Sequence, residues 1–61
     1  MNPVMRKIKI FSTFQDVSLL EVEINDWLSK NTNIRIIQML QSELGTPQGW
    51  NLIITIFYET G

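Results

Sequence analysis

The ten residues from Trp50 to Glu59 set the problem that the rest of this chain must solve. Trp50, Leu52, Ile54, Ile56 and Tyr58 fall on one side of an extended segment, and Asn51, Ile53, Thr55, Phe57 and Glu59 on the other, because successive strand side chains point to opposite faces. Both sides carry large apolar groups. The segment is the most apolar strand of the chain, which places it at the centre of a sheet with a neighbour on each edge.

Two more segments alternate less cleanly. In Val4–Phe11, Val4, Arg6, Ile8 and Ile10 share one side and Met5, Lys7, Lys9 and Phe11 the other, a strand with one mixed face. Ile34–Glu43 has no clean helical period, and its β-branched cluster directly after the polar Asn31-Thr32-Asn33 favours a strand. Between them the period changes: Val17, Leu20, Ile24, Trp27 and Leu28 fall on one stripe of a helical wheel, giving an amphipathic helix over 17–30. Asp16 and Ser18 are both candidate caps, Ser18 with Glu21 in capping-box spacing, and Asp26 and Lys30 form an i,i+4 pair. Gly45-Thr46-Pro47-Gln48-Gly49 is the clearest turn.

The element order is therefore β-α-β-β in a single domain over 1–61. A right-handed crossover makes the first two strands parallel, and the hairpin makes the third antiparallel to the second. With the third strand central, the sequence predicts an α+β two-layer fold: a three-stranded mixed sheet of order 1-3-2 with one helix on one face. One helix covers one side only. The other side is predicted to carry Lys7, Lys9 and Phe11, then Ile37 and Met39 or else Ile36 and Leu40, and Ile53, Thr55 and Phe57. Monomers rarely expose that much contiguous hydrocarbon, so the interface candidates are Phe11, Ile37, Met39, Ile53 and Phe57. Leu19 and Val22 lie off the core stripe of the helix and add a smaller apolar surface.

Size points the same way. For 61 residues, apolar burial of about 90 kcal/mol is offset by a chain-ordering cost of about the same size, so the isolated protomer is marginal. Domains this small gain stability from disulfides, metals or oligomerisation. The chain has no Cys and no His, which leaves oligomerisation and removes the thiolate, the imidazole base and the zinc site. The sequence gives no catalytic residues and calls for no cofactor or metal. Neither a membrane-spanning run nor a signal peptide is apparent, and a cytoplasmic protein is expected.

The stretches Lys7-Ile8-Lys9-Ile10-Phe11, Leu20-Glu21-Val22-Glu23-Ile24-Asn25-Asp26-Trp27-Leu28, Asn33-Ile34-Arg35-Ile36-Ile37 and Ile53-Ile54-Thr55-Ile56-Phe57-Tyr58-Glu59 resemble a group of small bacterial proteins that includes one expressed during sporulation. In that group a strand ending in Phe leads into an L-E-x-E-I-N-x-[FW]-L helix. The resemblance covers most of the chain and implies the β-α-β-β fold and a bacterial cytoplasmic setting; it supplies no catalytic residue. This chain departs from the pattern in having fewer acidic residues at the helix start and a Gly/Pro-rich hairpin loop.

Two other functions are open to these residues. The β-α-β-β order is also that of dodecin, a flavin-storage protein of large assemblies, and a dodecin-like small-ligand or nucleotide-binding oligomer would use Trp27, Trp50 and Tyr58 at subunit junctions. Core packing explains the same aromatics. Arg6, Lys7 and Lys9 beside Phe11 and Phe57 are the candidates for stacking single-stranded nucleic acid. A net charge of −1 and a pI near 5.1 weigh against that. The leading expectation is self-association or protein–protein docking, as a homo-oligomer or on a larger partner.

Overall fold

The computed structural model describes residues 3–61 as β1 (Met5–Phe14), α1 (Val17–Lys30), β2 (Ile34–Thr46) and β3 (Gly49–Thr60). β3 lies between the other two in the order β1-β3-β2, an α+β fold of β-α-β-β topology. Both β1 and β2 pair with β3 antiparallel. The two outer strands do run in the same direction, but they never touch. The sheet is therefore antiparallel at every neighbouring pair and not mixed.

The helix starts at the first of its two candidate caps. The Asp16 carboxylate accepts the Leu19 backbone N–H at 2.9 Å, satisfying a donor that the helix itself cannot. At the other end Asn31 donates its side-chain amide to the Trp27 carbonyl at 2.7 Å and its backbone N–H to that of Leu28 at 3.3 Å. Asp26 and Lys30 meet at 3.0 Å on the wet side.

Leu20 of the helix closes the core on Phe11, Leu52 and Ile56, with Ile24, Trp27, Trp50, Ile54 and Tyr58 packed around them. The even-numbered side of β3 is thus the helix side. Ladder pairing places Phe11 beside Ile54 and Lys9 beside Ile56, so β1 turns Phe11, Lys9 and, by alternation, Lys7 toward the helix. This reverses the assignment for the first strand: Phe11 is buried in the core, not on the uncovered face. A lysine next to the core is tolerated because its methylene stem covers apolar surface while the ammonium stays wet, and the Lys9 ammonium sits 5.3 Å above the Phe11 ring. Val17, assigned to the core stripe, is exposed, as are Leu19 and Val22.

β2 carries a bulge. Ile36 stands opposite Tyr58 and Gln38 opposite Phe57, so Ile37 is an extra residue in the ladder. Met39 then lies opposite Ile56, on the helix side, but β2 is exposed from Arg35 to Thr46 because the helix lies over β1 and β3. Met39 is accordingly exposed beyond the reach of the helix and is not on the uncovered face.

The hairpin turns through Pro47 and Gln48, with Thr46 paired to Gly49. Of the two glycines in this turn only Gly49 has a positive φ, +150°. A Cβ there would also fall on the Gln15 side-chain oxygen. Gln15 itself, at φ +54°, donates its backbone N–H to the Trp50 carbonyl at 3.2 Å and accepts the Trp50 N–H on Oε1 at 3.3 Å. These two bonds clip the β1–α1 corner to the start of β3. The chain measures 51 × 18 × 11 Å with a radius of gyration of 13.7 Å, where a compact chain of this length has about 10.5 Å.

Candidate functional site: the uncovered sheet face

The antiparallel registers fix which side chains stand in rows across the face opposite the helix. The first row is Arg6, Glu59 and Arg35. The second is Ile8 and Phe57 with Gln38, beside which Ile37 of the bulge lines the same concavity. Ile10, Thr55 and Leu40 make the third, Ser12, Ile53 and Ser42 the fourth, and Phe14, Asn51 and Leu44 the fifth. Eight residues along β1 separate the end rows, so the face is about 27 Å long and, at three strands, about 14 Å wide.

Its chemistry is apolar with charge at one end. Ile8, Ile10, Phe14, Ile37, Leu40 and Leu44 are each between 48% and 61% exposed. In the first row Glu59 sits between two arginines, Arg6 Nε to Oε2 and Arg35 Nη1 to Oε1, both at 3.7 Å. The row carries one net positive charge. Above it lies a shallow concavity of about 620 Å³ lined by Arg6, Ile8, Arg35, Ile37, Phe57 and Glu59 among others.

Three of the five sequence candidates fall here: Ile53 and Phe57, half-buried by their row neighbours, and Ile37. Phe11 and Met39 do not. The bulge explains why neither alternative pair for the second strand fits, since it places Ile37 and Leu40 on the open face and Ile36 and Met39 on the helix side. Leu40, from the alternative pair, belongs to this surface, and Ile8, Ile10, Phe14, Leu44 and Arg35 belong to it without having been singled out for it. The signal was present for Ile8 and Ile10, which alternate with the two lysines, once the odd-numbered side of β3 is known to face away from the helix.

The aromatic candidates divide. Trp27 and Tyr58 meet edge to face with ring centroids 5.2 Å apart, and Phe11 meets Trp27 in the same way at 5.9 Å. These rings pack on each other beneath the helix instead of framing a slot. Trp50 lies at the other end of β3, bonded through its backbone to Gln15. The basic candidates divide as well: Arg6 is on the open face, already against Glu59, while Lys7 and Lys9 point to the helix side. Among the described residues no three acidic, histidine or cysteine side chains gather into a group able to hold a metal ion, and no helix is long and apolar enough to cross a membrane. No family model, curated protein or solved structure matches the chain, so its functional reading rests on the arrangement of these side chains.

Proposed function

We propose that this chain is a non-catalytic association module of the bacterial cytoplasm, and that the surface through which it acts is the uncovered sheet face, docked on a second copy of itself. One observation carries the reading. A folded monomer of 7.1 kDa exposes about 4,100 Å² by area scaling, and this chain exposes 4765 Å². The excess of about 700 Å² is close to the roughly 800 Å² that each partner loses in an interface of standard size. The uncovered face contributes six side chains between 48% and 61% exposed to that area, and a sheet with one bare face is stabilised by a second layer.

The test is the absolute molar mass in solution by light scattering over a dilution series, on the wild type and on Ile10→Glu. Ile10 is 61% exposed, so the charge is accommodated in a folded protomer and disrupts only the docked face. The expected result is twice 7.1 kDa for the wild type and the protomer mass for Ile10→Glu, both with the same far-ultraviolet circular dichroism. A wild type that stays at 7.1 kDa up to millimolar concentration overturns the proposal.

A further inference from the structure

Resting on that reading, we infer that the two copies stack face to face about a two-fold axis that crosses the strands at Thr55, so that the charged end of one sheet lies over the Phe14 end of the other. Two aligned sheets can be related in the plane of their interface in two ways. If the axis runs along β3, every row lies over itself. If it runs across the strands at the middle row, the first row lies over the fifth and the second over the fourth.

Shape, charge and hydrogen bonding each separate these. The face is concave over Phe57 and the charged row, whereas Phe14 and Leu44 at the opposite end lie outside that concavity and are each more than half exposed. Row upon the same row sets two concavities against each other and leaves a void. The crossed arrangement seats Phe14 of one copy in the concavity of the other.

Bulk agrees, because the second row holds Phe57 between Ile8 and Gln38 with Ile37 beside it, and the fourth holds Ile53 between two serines. Large then meets small, as close packing requires. Charge agrees too, because the same-row stack brings two clusters of one net positive charge together, with Glu59 over its own copy. The crossed stack sends the clusters to opposite rims, where they stay hydrated. There Arg6 meets an aromatic ring, and the Glu59 carboxylate lies opposite the side-chain amide of Asn51, an uncharged donor added to its two arginines.

The chain contains no cysteine, so single thiols can be placed cleanly and joined with a short bis-maleimide. Thr55→Cys is expected to crosslink to itself. Ile8→Cys alone and Ser12→Cys alone are expected not to, while an equimolar mixture of the two gives the mixed dimer. Ile10→Cys, on an exposed position of the same middle row, repeats the Thr55 result if that variant folds poorly. Two copies stacked row on the same row would crosslink through Phe57→Cys as readily as through Thr55→Cys and give no Ile8–Ser12 product. That pattern, or a dimer by light scattering in which neither Thr55→Cys nor Ile10→Cys reacts with itself, overturns the geometry and leaves self-association standing. A wild type monomeric by mass removes both.

Discussion

Ile56 and Ile10 stand on opposite sides of the sheet, and replacing each separates the stability of a protomer from that of the pair. Ile56 is the fully buried centre of a core of four side chains. Truncating it to alanine removes three carbons from a site walled by Phe11, Leu20 and Leu52, a change that costs about 2–5 kcal/mol in well-packed cores. A 61-residue domain holds only about 3–9 kcal/mol in all. Ile10→Glu changes an exposed side chain and costs the protomer about 0.5 kcal/mol. The two-copy state responds differently, since its stability rises by about 1.4 kcal/mol for each tenfold increase in protomer concentration. Two chains unfold together with a urea slope of about 2–3 kcal/mol/M, so that moves the midpoint by about 0.5 M. The assay is urea unfolding followed by tryptophan fluorescence, in which Trp27 reports the contact with Phe11 and Tyr58 and Trp50 the start of β3, at two concentrations tenfold apart. Wild type is expected to show the shift. Ile10→Glu loses the shift but keeps a cooperative transition, whereas Ile56→Ala, at about 1–1.5 kcal/mol/M per chain, drops the midpoint by about 1.3 M or more at either concentration. An Ile56→Ala variant within about 1 kcal/mol of wild type would refute the placement of the core, and an Ile10→Glu variant whose midpoint still climbs with concentration would refute the placement of the interface.

Three further substitutions follow from local geometry. Gly49→Ala meets both a positive φ and the Gln15 side chain and should cost about 1–3 kcal/mol by thermal or chemical unfolding; Gly45→Ala, with open space around it, should cost nothing and serves as the control. Asp16→Ala should lose about 1 kcal/mol by removing the bond to the Leu19 N–H, while Ser18→Ala leaves the midpoint unchanged. A Lys7→Glu/Lys9→Glu double variant changes only the helix side, and its mass by light scattering should equal that of wild type at every concentration; dissociation would place the lysines at the contact.

The helix bounds, the element order and the central position of β3 were all legible in the sequence because each rests on a long pattern: fourteen residues of helix stripe and a ten-residue strand that is apolar on both sides. What was not legible turned on single residues. In β1 the apolar groups divide almost evenly between the two sides, so periodicity alone does not say whether Phe11 or the pair Ile8 and Ile10 goes inward. The register against β3 decides it, and one large ring suffices at the edge of so small a core. In β2 the run Ile34, Ile36, Ile37, Met39 contradicts any single alternation because a bulge interrupts it at Ile37, and a bulge has no signature in composition. The candidate surface inherits both effects: its β3 residues were readable, its β1 residues were reversed, and its β2 residues were split between two readings.

The β1-β3-β2 order also governs what happens while the chain is being made. Met5 pairs with Thr60, as does Ile34, so neither outer strand has a hydrogen-bonding neighbour until the last of the three has been translated. During synthesis the nascent polypeptide therefore holds two unpaired strands and an amphipathic helix with no sheet to lie on. Leu20 meets Phe11, Leu52 and Ile56 only when β3 arrives. Sheet and core are therefore complete only once β3 is present, and a chain halted before it leaves Phe11 and Leu20 without the Leu52 and Ile56 that close over them, open to whatever chaperone or protease reaches them first.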